Sequence, residues 1–352
     1  MIEPQRRRRV PLLSIARNSI GVLLIIAIAL AALVVLSLLL SKTPGRTLRY
    51  FFLGPIQNTY YLGNMINTAI PLIFGGLGVS LAMRSGSFNL GGEGQLYSGA
   101  FVATVTALAL AQWGLFGAIV AILLGSLAGG LLAGLSGFLR MKWNTNELIT
   151  SFLVSNAMML IVSYLIAGPF MDPNTNLIAT RRIPESFRFS RILEPSNLSA
   201  ALLFAVLAVV VVYLYLYKTK SGYELRLFGL NPQFARYGGI RSDWYRVWPM
   251  FLSGAFYGLG GGMAIFGTYY ACMKEFSVGM GWNGLAVALI ARYRPMAIIP
   301  AALFFAYIES GARNAMLHSD VTFEIASIVQ AVVFFLVTST VLQQIGNKRR
   351  LV

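Results

Sequence analysis

The chain carries few side chains suited to covalent or metal chemistry. Its 352 residues include one cysteine, Cys272, and one histidine, His318. An intramolecular disulfide needs two cysteines and a structural zinc site needs four ligands, so neither can be built from these two residues. None of the six lysines ends a Gly-x-x-x-x-Gly-Lys-Ser/Thr phosphate loop. The sequence therefore predicts no catalytic residue, no metal site and no cofactor, and any ATP hydrolysis must come from a partner.

Polar side chains next to glycines are the better candidates for binding chemistry. Asn89, Glu93 and Gln95 lie in the segment Ser85-Gly-Ser-Phe-Asn-Leu-Gly-Gly-Glu-Gly-Gln95, directly before an apolar run. A glycine-broken backbone at membrane depth must line a cavity or be buried in protein, and polar groups there often mark a solute pathway. Either these residues line such a pathway, or the segment is a cytoplasmic turn in which Glu93 caps a helix N-terminus.

Two asparagines near another apolar run extend this set. Asn146 shortly precedes the run at 148–167, and Asn156 lies within it. An amide inside a membrane span can hydrogen-bond a polar solute, although a bond to a neighbouring helix is the more common use. The candidate pathway residues are therefore Asn89, Glu93, Gln95, Asn146 and Asn156.

The composition indicates what kind of elements must hold these residues. The chain is 57% hydrophobic and 11% charged, with a formal net charge of +16 and a mean hydropathy of +0.70. Soluble domains have about 25% charged residues, and basic nucleic-acid-binding proteins expose their charge on a polar surface. This composition excludes an ordinary soluble enzyme, a disordered chain and a nucleic-acid binder, and it indicates a protein embedded in a lipid bilayer.

Apolar stretches recur along the whole chain. A membrane helix needs roughly 20 mostly apolar residues, and about ten stretches qualify, several of them short or interrupted by glycine. The sequence thus predicts an all-α membrane protein with about ten transmembrane helices. The first stretch has no small-residue cleavage site before Lys42 and is interpreted as a retained anchor rather than a signal peptide. The predicted spans are 20–40, 60–83, 96–111, 115–139, 148–167, 198–217, 247–270, 283–291, 296–312 and 323–342.

The distribution of Lys and Arg predicts the orientation of these spans. With the N-terminus inside, 19 of the 28 Lys and Arg residues fall on the cytoplasmic side, in agreement with the positive-inside rule. Both termini are therefore predicted to be cytoplasmic. The resulting divisions are a basic N-terminus at 1–18, one membrane domain at 19–342 with an outer loop at 168–197 and a cytoplasmic loop at 218–246, and a cytoplasmic tail at 343–352.

A weak internal repeat relates the two halves of the chain. Phe88-Asn-Leu-Gly91 and Phe276-Ser-Val-Gly279 lie 188 residues apart, and each follows a glycine-rich segment and precedes a short span. By the charge distribution, the two segments run through the membrane in opposite directions. This predicts an inverted repeat of spans 2–5 and 7–10, a construction known in transporters, with two unrelated membrane turns as the alternative. Glycines at intervals of four, such as Gly125 with Gly129 and Gly254 with Gly258, predict close helix packing.

The cytoplasmic loop at 218–246 contains signals for a short helix. Asn231 and Pro232 suit its N-cap and first position, and Gly238 and Gly239 suit its end. Such a helix can lie on lipid or dock in a groove of another protein, and periodicity does not choose between the two.

Several motifs together carry a resemblance to a known family. They occur in a fixed order and cover most of the chain from 60 to 342. The set resembles the permease subunits of bacterial ABC importers for nucleosides and simple sugars. The motifs are Phe88-Asn-Leu-Gly-Gly-Glu-Gly-Gln95, Asn146-Glu147-Leu-Ile-Thr150, Gly168-Pro-Phe with Asp172-Pro173, Gly229-Leu-Asn-Pro-Gln-Phe-Ala-Arg-Tyr-Gly-Gly-Ile240 and Phe276-Ser-Val-Gly279.

The resemblance implies a type II importer-like subunit of the bacterial inner membrane that is not itself an enzyme. It implies three kinds of partner: ABC ATPase subunits, a second permease subunit (the same chain or a paralogue) and an extracytoplasmic substrate-binding protein. A nucleoside is the first expected solute, followed by a riboflavin-like vitamin and then a simple sugar. In this family the loop matching 229–240 is the coupling helix seated on the ATPase, which assigns coupling to Gly229, Asn231, Pro232, Ala235, Arg236, Gly239 and Ile240.

Two other function classes remain open at this point. An ion-driven secondary carrier usually needs intramembrane carboxylates for its coupling ion, and only Glu93 and Glu309 approach membrane depth. A membrane-embedded enzyme such as a lipid transferase needs acid and base groups, which are scarce in this chain.

Overall fold

The structure is a computed structural model that describes residues 41–277 and 279–322, with scattered helical residues at 31–38 and 324–335. Helices make up most of this part of the chain. Two short strands, β1 (Arg191–Leu193) and β2 (Leu198–Ser199), form an antiparallel pair. The helices are α1 (Pro44–Leu53), α2 (Thr59–Arg84), α3 (Gly92–Ala109), α4 (Gly114–Trp143), α5 (Glu147–Ala167), α6 (Ala201–Lys218), α7 (Lys220–Leu230), α8 (Pro232–Tyr237), α9 (Ser242–Ala264), α10 (Met280–Ile290) and α11 (Pro295–His318).

Six stretches of the described residues are long and apolar enough to cross a membrane. They are α2, α4 with the turn before it, α5, α6, α9 with the π-helical turn Ile265–Tyr269 after it, and α11. The prediction of a helical membrane protein is confirmed at this level. Helices α3 and α10 coincide with the predicted spans at 96–111 and 283–291 but are not among the six. The predicted spans at 20–40 and 323–342, the N-terminus at 1–18 and the tail at 343–352 lie outside the described residues, apart from the scattered positions given above.

Capping residues fix where several helices begin. The Asn58 side chain accepts a hydrogen bond from the N–H of Tyr61 at 3.0 Å and starts α2. The Asn231 side chain does the same for Phe234 at 3.0 Å, with Pro232 as the first residue of α8. Side-chain oxygens at the N-cap satisfy backbone N–H groups that have no partner within the helix. The short helix that the sequence predicts in the 218–246 loop is therefore confirmed.

The described residues divide into two units, of which Gly54–Ser310 is the larger. In it, α9 packs against α2, α3 and α4. A methyl group on Gly129 would lie 2.9 Å from the backbone nitrogen of Gly258, and one on Gly254 would lie 2.8 Å from the carbonyl carbon of Gly129. Only glycine allows helix backbones to come so close. The close packing predicted from the four-residue glycine spacing is confirmed.

The smaller unit comprises the described residues of Met1–Leu53 and Gly311–Val352. Its clearest feature is the carboxylate of Asp320, which accepts hydrogen bonds from the Lys42 N–H at 2.6 Å and the Ser41 hydroxyl at 2.7 Å. These donors favour the ionised form and lower the pKa of Asp320 to about 2. In the same unit, Tyr50 stacks on His318 with ring centroids 4.3 Å apart.

The segment between α5 and α6 is ordered by backbone pairing. Its strands β1 and β2 pair with Arg191 opposite Ser199, and the N–H groups of Ile183 and Phe189 donate to carbonyls of Tyr270 and Phe266 at 2.8 and 2.9 Å. Backbone polar groups that pack against protein need such partners. The all-α prediction does not include this hairpin, because its strands are too short to give a periodic sequence signal.

Candidate functional site

Two short helices meet N-terminus to N-terminus inside the larger unit. Helix α3 begins at Gly92 after the loop 85–91, and α10 begins at Met280. A methyl group on Gly281 would lie 2.6 Å from the Glu93 Cα atom, so the two backbones are in direct contact. The N–H of Gly281 donates to Glu93 Oε2 at 2.8 Å. Because a helix N-terminus carries partial positive charge, the Glu93 carboxylate offsets the charge of two facing helix ends.

A buried tyrosine holds the same junction from the side of α9. The Tyr257 hydroxyl donates to the carbonyl oxygen of Gly281 at 2.9 Å. A methyl group on Gly92 would lie 2.6 Å from that hydroxyl oxygen. Tyr257 is 1% exposed, so it fixes the first turn of both short helices at one point.

A cavity of about 150 Å³ opens next to this junction. Its polar groups are Glu93, Ser155 and Asn156, and its rim carries two aromatic rings, Phe152 and Trp282, with centroids 6.3 Å apart. Glu93 is 7% exposed, and its Oε1 atom has no hydrogen-bond partner among the described residues. Sites for drug-sized ligands usually measure about 300–1,000 Å³, so this cavity is smaller than a typical ligand site. Its lining residues are Leu90, Glu93, Phe152, Ser155, Asn156, Met159, Gly279 and Trp282.

Helix α5 forms one wall of the cavity and supports the loop before α3. The Ser151 hydroxyl accepts a hydrogen bond from the Leu90 N–H at 3.1 Å, and the Ser155 hydroxyl accepts one from the Gly94 N–H at 2.8 Å. Ser151 and Ser155 are four residues apart and therefore lie on the same face of α5. This face satisfies backbone groups of a segment that has no regular partner.

The side-chain amides of Asn89 and Gln95 hydrogen-bond to each other in both directions, next to the loop 85–91. The Asn89 amide nitrogen donates to Gln95 Oε1 at 2.7 Å, and the Gln95 amide nitrogen donates to Asn89 Oδ1 at 2.9 Å. The Asn89 amide also donates to the Ser253 hydroxyl of α9 at 3.0 Å, and both amides are 1% exposed. Their hydrogen bonds hold the loop 85–91 in shape.

The two remaining candidate residues have different surroundings. Asn146 is the N-cap of α5, and its side chain accepts a hydrogen bond from the Leu148 N–H at 2.9 Å. Asn156 lines the cavity, and its amide nitrogen donates to the Phe152 carbonyl of its own helix at 2.8 Å.

The loop at 218–246 exposes apolar side chains around α8. Leu230, Phe234 and Tyr237 are 84%, 60% and 92% exposed, whereas Ala235 is buried. Gly239 has a φ of +79°, and the Ile240 N–H donates to the Ala235 carbonyl at 3.0 Å, which closes the helix. Large exposed apolar side chains outside membrane-spanning helices are typical of protein contact surfaces.

Comparison with known proteins decides the family. Residues 61–338 match the family model described as the permease component of branched-chain amino acid transport systems. The chain belongs to this permease family. It is 35% identical to the probable riboflavin import permease protein RfuC of Treponema pallidum over 92% of this chain and 85% of that protein. No solved structure matches the chain.

Two further relatives of this permease carry the names of other solutes. The glucose ABC transporter permease protein TsgB13 of Haloferax volcanii is 32% identical over 95% of this chain and 90% of its own length. The guanosine ABC transporter permease protein NupP of Bacillus subtilis is 30% identical over 82% of this chain and 83% of its own length. The resemblance to ABC importer permeases is therefore confirmed, and the protein is a multi-pass membrane permease.

The site of this permease differs in part from the sequence-based picture. Of the five candidate pathway residues, Glu93 and Asn156 border the cavity, Asn89 and Gln95 brace its loop, and Asn146 caps a helix end. Sequence reasoning missed the aromatic rim, Tyr257 and the serine pair; the four-residue spacing of Ser151 and Ser155 was a signal that could have found the pair. In the part of the chain that the structure describes, no group of three or more His, Cys, Asp or Glu side chains could hold a metal ion.

Proposed function

We propose that this permease forms the translocation pathway of an ATP-driven importer for a small, polar, ring-bearing solute. A binding protein delivers the solute, and separate ABC ATPase subunits hydrolyse ATP. The observation that carries the proposal is α8, a short helix with exposed Phe234 and Tyr237 on a loop that the family assigns to ATPase contact. A nucleoside is the first expected solute, then a riboflavin-like vitamin, then a simple sugar. The names of the three relatives include one solute of each kind and do not rank them.

We further propose that the fold is a type II importer-like arrangement of about ten transmembrane helices built from an inverted repeat of spans 2–5 and 7–10. Helices α3 and α10 begin 188 residues apart, which is the spacing of the two Phe-containing motifs. The contacts are also reciprocal, since α2 packs against α10 and α9 packs against α3. Reciprocal contacts between the corresponding helices of two halves are expected around a pseudo-two-fold axis.

The proposed topology follows the charge distribution of the chain. Both termini lie in the cytoplasm, the segments 1–18 and 343–352 flank one membrane domain at 19–342 of the inner membrane, the loop 168–197 lies outside and the loop 218–246 lies inside. A second permease subunit, the same chain or a paralogue, completes the pathway.

Within this permease, residues divide between pathway and coupling. Glu93 and Asn156 face the solute, while Asn89, Gln95 and Asn146 fix the segments that carry them. Coupling to the ATPase belongs to Gly229, Asn231, Pro232, Ala235, Arg236, Gly239 and Ile240.

Two variants of the coupling loop test the proposal in the assembled importer. Ala235→Glu places a charge at a buried position of α8, and Gly239→Trp forces a bulky side chain into a left-handed backbone conformation. We expect both to abolish the stimulation of ATPase activity by binding protein loaded with guanosine, riboflavin or glucose, without loss of membrane insertion. Gly238→Ala, whose methyl group would find its nearest neighbour at 3.5 Å, is the control. Normal stimulation in both variants would contradict the coupling assignment.

A secondary carrier is the alternative function, and a separate measurement distinguishes it. Glu93 is the buried carboxylate at the helix junction and is the residue that such a carrier would use for its coupling ion. Solute uptake by this chain alone, in vesicles with an ion gradient and no ATPase, would support the carrier and contradict the importer.

A further inference from the structure

We propose that Arg84 and Arg140 are positioning residues that transmit movement of the coupling loop to the two walls of the cavity. The inference rests on the proposed function, because it takes the loop 229–240 as the point where the ATPase acts. It adds the physical route by which a movement of that loop reaches Glu93 and Asn156.

The route begins where the coupling loop touches the end of α2. A methyl group on Gly229 would collide with the carbonyl oxygen of Arg84 and would lie 2.9 Å from the carbonyl carbon of Ser85. On the other side of the contact, a methyl group on Gly86 would lie 3.5 Å from the Gly229 Cα atom. Two backbones packed at this distance cannot slide past each other without displacement. A shift of Gly229 therefore moves the turn at 84–87.

Arg84 connects this turn to α10, the wall that carries Trp282. Its Nε atom donates to the carbonyl oxygen of Tyr293 at 3.1 Å, and its Nη2 atom donates to the Tyr217 hydroxyl at the end of α6 at 3.3 Å. Tyr293 directly follows Arg292 in the turn after α10, and the two have φ angles of +57° and +51°. Left-handed backbone at two consecutive residues with large side chains is costly and persists only where neighbours hold it. The guanidinium of Arg84 is one such neighbour.

Arg140 connects the same turn to α5, the opposite wall. Its Nη1 atom donates to the Ser87 hydroxyl at 2.9 Å and lies 2.8 Å from Glu147 Oε1. Glu147 is the first residue of α5, the helix that carries Phe152, Ser155 and Asn156 into the cavity. The two arginines thus attach the single turn that receives Gly229 to both walls, with α10 on one side and α5 on the other.

The Arg140–Glu147 ion pair keeps some contact with water, since its two side chains are 26% and 14% exposed. An ion pair that water still reaches adds less to folding than a fully buried one. Removing this ion pair is expected to leave the permease assembled while the cavity walls become independent of the coupling loop. A purely structural role predicts the opposite, namely loss of assembly and of basal ATPase activity together.

The test uses the full importer in proteoliposomes and needs no identified solute. The parent permease carries Cys272→Ala, which removes the one native cysteine, and Asn156→Cys as a reporter in the cavity. The probe is a charged, membrane-impermeant methanethiosulfonate reagent, and its rate of reaction with the reporter is measured with and without ATP plus vanadate. In the parent we expect the rate to change about fivefold or more, the range typical of coupled sites.

The variants under test are Arg84→Gln, Arg140→Gln and their combination, with Lys220→Gln as the matched control. Lys220 is 89% exposed and contacts only Glu224 of its own helix at 3.8 Å among the ion pairs of the described residues. We expect each single variant to reduce the vanadate response, the double variant to abolish it, and the control to keep it, all with basal ATPase activity retained. Arg84→Lys keeps a positive charge and a single donor group in place of the two donating nitrogens of the arginine. It should therefore retain more of the response than Arg84→Gln does.

Three outcomes decide between the inference and the proposed function. A double variant that keeps the full response overturns the inference and leaves the importer proposal intact. A parent without any response overturns both, because the cavity then does not follow the ATPase. If the double variant does not assemble, Glu147→Gln takes its place: it removes the ion pair to α5 without changing either arginine, and a full response in that variant also overturns the inference.

Discussion

Replacing Gly281 by alanine separates the two facing helix ends and is the most direct test of their geometry. The new methyl group would lie 2.6 Å from Glu93 Cα and 2.7 Å from the Gly92 carbonyl carbon, whereas carbon atoms in proteins approach to about 3.5–4.0 Å. All of these neighbours are backbone or Cα atoms, so no side-chain rotation can relieve the overlap. Helix α10 must therefore move away from α3 by about 1 Å.

The magnitude follows from two losses. Overpacking at a tight contact costs about 1–3 kcal/mol. A displacement of about 1 Å also stretches the hydrogen bond between the Gly281 N–H and Glu93 Oε2, now 2.8 Å long, beyond its limit. Loss of this buried hydrogen bond to a charged group costs a further ~1–3 kcal/mol. We expect Gly281→Ala to lower the free energy of unfolding by about 2–6 kcal/mol, and to reduce solute transport more strongly than membrane insertion.

The stability assay heats the purified permease in detergent and measures the folded fraction by size-exclusion chromatography. Transport by the reconstituted importer is measured in parallel. Gly262→Ala is the matched control, because it is a buried helix glycine whose methyl group would meet only the Ala103 Cβ atom at 3.7 Å. That substitution should be neutral or stabilising by up to ~1 kcal/mol, from helix propensity alone. An unchanged Tm for Gly281→Ala, or an equal loss in Gly262→Ala, would refute the proposed contact between the helix ends.

Three further predictions concern other parts of the chain. Tyr257→Phe removes the 2.9 Å hydrogen bond to the Gly281 carbonyl and should lower the free energy of unfolding by about 1 kcal/mol in the same detergent assay, with no change in ATPase binding. Phe234→Asp should weaken binding of the ATPase at least about tenfold in a pull-down titration, whereas Tyr223→Asp on the neighbouring helix α7 should not. Asp320 has a depressed pKa of about 2, so its stabilising contribution is present above about pH 4 and is lost as the pH falls towards 2. Between about pH 4 and pH 2, the free energy of unfolding should therefore fall by more in the wild type than in Asp320→Asn.

The sequence predicts local structure well where a short signal suffices. Asn231 and Pro232 define the start of α8 because capping depends only on residues within one turn. The apolar runs locate the membrane helices for a similar reason, since lipid imposes a length and a composition on each span. The glycines spaced by four predict close packing, although the sequence does not say that Gly129 faces Gly258.

The site itself depends on contacts that no local signal contains. Glu93 was expected to line a pathway or to cap its own helix, and its partner is the N–H of Gly281, 188 residues away. Asn89 and Gln95 are six residues apart and satisfy each other, so the polar side chains that line the cavity are Glu93, Ser155 and Asn156. A polar residue near an apolar run thus indicates a buried network, and tertiary structure decides which members face the cavity.

The same contact gives a reason why the proposed internal repeat would be faint in the sequence. Under the proposed inverted repeat, Glu93 and Gly281 occupy equivalent positions and face each other at the axis. Glutamates at both positions would place two like charges in contact, and the contact has no room for a second side chain. Glycines at both positions would leave both helix N-termini without a carboxylate. One side chain must therefore be acidic and the other absent, so the halves are required to differ where they approach most closely. Gly281→Glu, which makes the two positions identical, should accordingly destabilise the permease more than Gly281→Ala in the same thermal assay, and a smaller loss would contradict this reasoning.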